Sequence, residues 1–132
     1  MGNPLMRALR AFVVEDSPVI RENLVATLEE VASLCVVGTA EDEEGALRFL
    51  ANPKSECDIA IVDIFLARGS GLGVLRALRE SGSTVERVVL TNYATEDIRR
   101  HCLELGATRV FDKSAEIDAL VSHCLERAAQ AA

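Results

Sequence analysis

Five short apolar runs, each followed by a stretch of helical periodicity, constrain this chain more than any other feature. The runs are Ala11-Phe12-Val13-Val14, Cys35-Val36-Val37, Ile59-Ala60-Ile61-Val62, Arg87-Val88-Val89-Leu90 and Arg109-Val110-Phe111. A strand with one wet face alternates apolar and polar residues, so runs this continuous belong to strands covered on both faces. The intervening stretches carry helix signals. Ser17 is an N-cap with Pro18 at the first helical position, and Ile20, Leu24, Thr27, Leu28 and Val31 recur on one face. Gly38 ends the second strand; Asp42 caps a helix with Ala46, Leu47 and Leu50 inward, and Asn52-Pro53 stops it. Leu72, Leu75 and Leu78 mark a third helix. A fourth opens near Thr95, carries Ile98, Cys102 and Leu105, and ends at Gly106. Ser114 caps the last, with Ile117, Leu120, Val121 and Cys124 inward. The alternation predicts an α/β fold: a doubly wound five-stranded parallel sheet with right-handed crossovers and helices on both faces.

At 132 residues this is one domain. It is expected to span 10–127, with an N-terminal extension at 1–9 and an alanine-rich tail at 128–132 that both fray. Net charge is −7, with no Trp, one Tyr and four Phe, which lacks the basic footprint and stacking platforms of a nucleic-acid binder. Cys35, Cys57, Cys102 and Cys124 show no metal-type spacing and each lies beside apolar residues, so buried free thiols are expected. No stretch reaches membrane-spanning length and no leader is evident, so a soluble, cytoplasmic protein is expected.

In a parallel sheet all carboxyl ends lie at one edge, where such folds bind ligands. The residues following the strands are Glu15-Asp16, Asp63, Thr91-Asn92 and Lys113. Three carboxylates in one place repel unless a cation joins them, and an all-oxygen set suits a hard ion such as Mg²⁺ (or Mn²⁺). With Mg²⁺ and Lys113 the charges sum to zero. An ionised aspartate there is a nucleophile toward phosphorus and needs no general base; the cations and the Thr91 hydroxyl would neutralise the phosphoryl oxygens.

The motifs V-V-E-D-S at 13–17, I-V-D-I-F-L-A-R-G-S-G-L at 61–72, V-L-T-N at 89–92 and F-D-K at 111–113 occur in order, each at the right strand end. By these the chain, from about Arg10 to Arg127, resembles a response-regulator receiver domain, the fold family of the chemotaxis receiver protein. The resemblance implies the flavodoxin-like strand order 2-1-3-4-5. It implies that Asp63 is the phosphoacceptor, that Asp16 binds Mg²⁺ directly and Glu15 through water, and that the Phe65 backbone carbonyl is a further ligand. Thr91 would be the switch hydroxyl, with Asn92 beside it in the phosphate-binding loop, and Lys113 would pair with Asp63 or its phosphate. Implied partners are a sensor histidine kinase or phosphotransfer protein and a downstream protein target, with no direct nucleic-acid or membrane contact, the chain being a monomer or weak dimer. A stand-alone receiver is expected, with no enzymatic activity beyond its own phosphorylation and dephosphorylation.

Three positions depart from the family pattern. Val110 stands where an aromatic usually lies three residues before the lysine, and Phe111, one position later, should face the other way. Ser114 replaces the proline that usually follows the lysine, and Ala67 the common proline four residues after the acceptor. Tyr93 is either a substitute readout of the switch or an exposed loop residue that tunes access to the acyl phosphate. The competing readings are a pseudo-receiver that is never phosphorylated, a flavodoxin-like cofactor binder and an aspartyl phosphatase. Glu15-Asp16 and Asp63 oppose the first, the acidic loop after strand one repels the phosphate of the second, and Phe65 occupies the general-acid position of the third. His101 and His123 are expected to be solvated helix residues, and Gly69, Gly71 and Gly73 lack the spacing of a phosphate cradle.

Overall fold

The computed structural model describes residues 8–130; most of the 1–9 extension and the last two residues of the expected tail lie outside these. Five parallel strands, β1 (Arg10–Val14), β2 (Cys35–Ala40), β3 (Ile59–Val62), β4 (Glu86–Thr91) and β5 (Arg109–Asp112), form one sheet in the order β2-β1-β3-β4-β5. Five helices alternate with them: α1 (Pro18–Glu30), α2 (Glu43–Ala51), α3 (Gly71–Glu80), α4 (Glu96–Glu104) and α5 (Ile117–Gln130). The doubly wound fold expected from the apolar runs is therefore the observed one.

Strand alternation divides the core into two layers. On one face Val13, Ile61, Leu90 and Phe111 pack with Leu24 and Leu28 of α1 and Leu120 and Cys124 of α5. On the other, Phe12, Val14 and Val62 meet Ala46 of α2 and Val74 and Leu78 of α3, while Val89 and Val110 meet Leu75 and Cys102. Val110 and Phe111 thus face opposite ways, as their adjacency in a strand requires. The side chains of Ser17, Asp42, Ser70 and Thr95 each accept a backbone N–H in the first turn of the helix that follows.

Several local expectations are corrected. Gly38 does not end β2, which runs on to Ala40 with a register shift where Val37 is passed over. The missing side chain makes room for Phe49, which stacks on Phe12 with ring centroids 4.0 Å apart; a Cβ on Gly38 would lie 2.4 Å from the Phe49 ring. Ile20 and Val31 are exposed, the first near the start of α1 and the second at its C-cap, so Leu24 and Leu28 alone are buried in this helix. Cys102 and Cys124 are buried, but Cys57 is half-buried and Cys35, opening an edge strand, is exposed. Ser114 does not cap α5, because its N–H and hydroxyl both donate to Asp112 Oδ1 (2.8 and 2.7 Å) in a turn that delays the helix to Ile117. His101 is exposed as expected, but His123 is half-buried, its Nε2 lying 2.7 Å from Glu86 Oε2. The carboxylate of Glu86, at the start of β4, reaches α5 and also takes the guanidinium of Arg127 and the Thr108 hydroxyl.

Candidate functional site

The backbone ladder places the acidic edge. The N–H of Glu15 donates to the Ala40 carbonyl (2.9 Å), that of Asp63 to Val14 (3.0 Å) and that of Lys113 to Thr91 (2.9 Å). Each residue therefore continues its strand by one hydrogen bond onto a neighbour before the chain turns away. Glu15 and Asp63 are buried, at 2% and 6% exposure, and Thr91 is fully buried. Ligand oxygens of Glu15, Asp16 and Asp63 lie within 4.8 Å of one another. Lys113 reaches in from beyond β5, its Nζ donating to Asp63 Oδ2 at 2.8 Å and also to Glu15 Oε1. The structure thus brings together Glu15, Asp16, Asp63 and Lys113, with Thr91 buried at the adjoining strand end. Asn92 is exposed and stands at the rim, on a groove shared with Ile20, Lys113 and Ile117.

The loops around these groups are tied to them. Asp63 Oδ1 accepts the Phe65 N–H (3.2 Å), Glu15 Oε2 the Ser17 N–H (3.0 Å) and Asp16 Oδ2 the Ala67 N–H (2.8 Å). The last bond exists because residue 67 is alanine; a proline would have no N–H to give. A Cβ on Gly71 would fall 2.2 Å from the Asp63 carbonyl oxygen, so only glycine lets α3 start this close to the end of β3. Thr91 Oγ1 accepts the Tyr93 N–H (3.2 Å). The Tyr93 ring is 61% exposed and meets the Phe65 ring edge-on, centroids 5.0 Å apart. Tyr93 is an exposed loop residue.

Two residues that sequence reasoning missed support the edge. Arg21, one turn into α1, donates to the Glu15 carbonyl (2.8 Å). Glu43, at the start of α2, accepts the Ser70 N–H (2.8 Å) and lies against Gly69 and Gly73, bracing the loop after β3. A cation six residues after Glu15 was the one visible signal, for Arg21; nothing in the sequence pointed Glu43 at a loop twenty-seven residues away.

Electrostatically the cluster is short of positive charge. Burial pushes the Glu15 carboxyl above its ordinary pKa, and a contact with the Asp16 carboxyl raises it further; the bonds from Lys113 and Ser17 oppose this without prevailing. Burial disfavours the charged form of Lys113, but the carboxylates of Asp63 and Glu15 outweigh that and raise its pKa. One ammonium held charged among three carboxylates leaves Glu15 with the excess. A hard divalent cation fits this donor set: the ligands are all oxygen, within coordination reach, and the cation would relieve the Glu15–Asp16 contact.

Comparison with known proteins agrees with the fold. Residues 11–125 match the family described as response regulator receiver domain. A transcriptional regulatory protein, by its name, from Picosynechococcus sp. is 36% identical over 120 residues, 87% of this chain and 47% of that one. The alkaline phosphatase synthesis transcriptional regulatory protein SphR of Synechococcus elongatus is 32% identical over 124 residues, 89% of this chain and 48% of that one. The chain spans about half the length of these curated relatives. Among solved structures, the signal receiver domain of NarL from Mycobacterium tuberculosis superposes with a TM-score of 0.82 at 25% identity, covering 93% of this chain and 98% of that one. A response regulator from Burkholderia pseudomallei, solved with a phosphorylated aspartic acid, a calcium ion and citrate, shares the fold with a TM-score of 0.76 at 24% identity, over 92% of this chain and 69% of that one. Among the described residues no helix is long and apolar enough to cross a membrane. Sheet order and family match together show that the chain belongs to the response-regulator receiver domains of two-component signalling.

Proposed function

We propose that this receiver domain accepts a phosphoryl group on Asp63, with Mg²⁺ or Mn²⁺, from a phosphohistidine on a sensor kinase or phosphotransfer protein, or from a small phosphodonor. The observation that carries the reading is the Lys113 ammonium bridging the buried carboxylates of Asp63 and Glu15, with Asp16 beside them. Asp16 would hold the metal directly and Glu15 through water, with Asp63 and the Phe65 carbonyl completing the protein ligands. The ion supplies charge neutralisation on the phosphoryl oxygens.

The chain's own residues do the rest. An ionised Asp63 oxygen attacks phosphorus as the P–N bond to the donor histidine breaks, and the proton taken by the leaving imidazole comes from the donor side or solvent. Lys113 stays on the phosphoryl group as its charge moves outward, and the Thr91 hydroxyl and the loop at Asn92 meet its remaining oxygens. The tight turn at Gly71 keeps the Asp63 carbonyl, and so its side chain, at the sheet edge. Output then passes by contact with a downstream protein in the cytoplasm.

Intact mass after incubation with acetyl phosphate and Mg²⁺ tests this. One phosphate adduct is expected in the wild type, absent with a chelator and absent in Asp63→Asn. A persistent adduct in that variant overturns the assignment of Asp63.

A further inference from the structure

Arg99 of α4 joins the two loops that flank the acidic edge, and it does so with three separate hydrogen bonds. Its Nε donates to the Ala94 carbonyl (3.0 Å), three residues past Thr91. Its Nη1 donates to the Val110 carbonyl (2.7 Å), three residues before Lys113. Its Nη2 donates to Glu116 Oε1 (2.7 Å), and the same oxygen accepts the N–H of Asp112, the residue preceding Lys113 (2.8 Å). Two of these partners are backbone carbonyls, so the bonds report backbone position whatever the side chains there are. Asp112 in turn braces the turn after Lys113 by accepting from Ser114 and Ala115.

We propose that Arg99 is the positioning residue that couples the Thr91 loop to the Lys113 loop, and that it transmits occupancy of the Asp63 site to α4 and the start of α5. Val110 is too small to reach across this space, and its side chain is buried among Val89, Cys102 and Leu105. The planar guanidinium spans it instead. A fork of fixed geometry suits this task, because two carbonyls and a carboxylate held at set angles cannot move independently while all three bonds last. When a phosphoryl group draws the Thr91 hydroxyl and Lys113 toward itself, the Ala94 and Asp112 backbones shift. Arg99 must follow or lose bonds, and α4 goes with it.

The inference rests on the proposed phosphoryl site, and hydrogen exchange of the full chain separates the two. Wild type is compared with Arg99→Gln and Glu116→Gln, each with Mg²⁺ alone and with Mg²⁺ plus beryllofluoride as phosphoryl mimic. In wild type the mimic should slow exchange around 63–70, in α4 and in 112–118 together. In Arg99→Gln the response near 63–70 should remain while the α4 response shrinks about fivefold or more, the lower range of coupling between sites. Glu116→Gln, which keeps both carbonyl bonds, should show an intermediate loss and serves should Arg99→Gln fold poorly. A merely structural Arg99 would speed α4 exchange equally with and without the mimic and leave the response intact. That result, or an undiminished α4 response in Glu116→Gln, overturns the proposal. If wild type shows no response near 63–70, the phosphoryl-site reading fails and the coupling falls with it.

Discussion

Replacing Lys113 by methionine isolates the electrostatics of the acidic edge. The Lys113 side chain is 9% exposed, and its ammonium bridges carboxylates whose side chains are 3% and 7% exposed. Methionine keeps much of the stem's packing but leaves the carboxylates of Glu15 and Asp63 buried with no cation. Removing one partner of a buried pair costs about 3–5 kcal/mol. Protonation sets a ceiling on that cost for each carboxyl. Lifting a carboxyl from about 4.3 to 7 takes about 3.7 kcal/mol at 1.36 kcal/mol per pH unit, whereas at pH 5 the same step takes about 1 kcal/mol. Relieving one of the two carboxyls by its proton therefore puts the expected loss near 3–4 kcal/mol at pH 7 and near 1 kcal/mol at pH 5. The sign follows from linkage: a carboxyl raised in the folded state withdraws stability as pH climbs from its unfolded pKa to its folded one. Mg²⁺ at a hundredfold excess over Kd should stabilise each protein by about 2.7 kcal/mol. On binding the variant it should displace the extra proton, so that Mg²⁺ binding to the variant strengthens more steeply between about pH 5 and 7 than binding to wild type. Urea unfolding by circular dichroism at both pH values, with and without Mg²⁺, measures all of this. An equal loss at pH 5 and pH 7 would mean that lost packing of the lysine stem, not charge, is what the substitution removes.

Glu86 gives a second pH dependence, at the opposite end of β4. Burial works to raise its pKa, but the bonds from Thr108, Arg127 and His123 prevail and lower it, so its contribution holds above the unfolded carboxyl pKa and fades as pH falls through the folded one. Glu86→Gln should flatten the acid limb of the stability profile between about pH 5 and 3; an unchanged slope would remove Glu86 from the acid response. At the metal, Asp16→Asn should weaken Mg²⁺ binding far more than Glu15→Gln, by calorimetric titration. The metal-free Asp16→Asn protein should also be slightly more stable to urea, since one repelling carboxylate is gone; equal affinity losses would refute the division of roles.

The sheet and its acidic edge were legible for the same reason. Strands buried on both faces must be apolar throughout, and parallel topology sends every strand's last residue to one edge, so Glu15, Asp63, Thr91 and Lys113 converge without any knowledge of loops. What escaped sequence reasoning depends on single atoms. Gly38 read as a strand end because glycine usually breaks a strand, yet here its missing Cβ admits the Phe49 ring. Ser114 read as a cap because serine usually is one, yet the Asp112 carboxylate two residues earlier claims its hydroxyl. His123 read as solvated because its partner Glu86 lies thirty-seven residues away on another element.

The three departures from the receiver pattern belong together once these bonds are known. At Ala67 and Ser114 the chain has an N–H where the family commonly has proline, and both are used: one donates to Asp16, the other to Asp112. At Val110, where the family usually has an aromatic, the smaller side chain packs among Val89, Cys102 and Leu105, and the backbone carbonyl is held by Arg99. The first two changes replace a ring constraint with a hydrogen bond between a loop and a charged group, and at the third the bond from Arg99 fixes the strand backbone beside the smaller side chain. A proline stiffens a loop through covalent geometry and a buried aromatic through packing, and neither responds strongly to charge. A hydrogen bond to Asp16, or from Arg99 to a carbonyl, strengthens or weakens with the charge and position of its partner. Of these bonds the one from Ala67 to Asp16 ties a loop to the acidic edge itself, while Ser114 and Arg99 tie the segment around Lys113 to Asp112 and to α4. Under the proposed coupling, the Arg99 bonds are what lets a receiver with Val110 in place of the ring pass occupancy of the edge to α4.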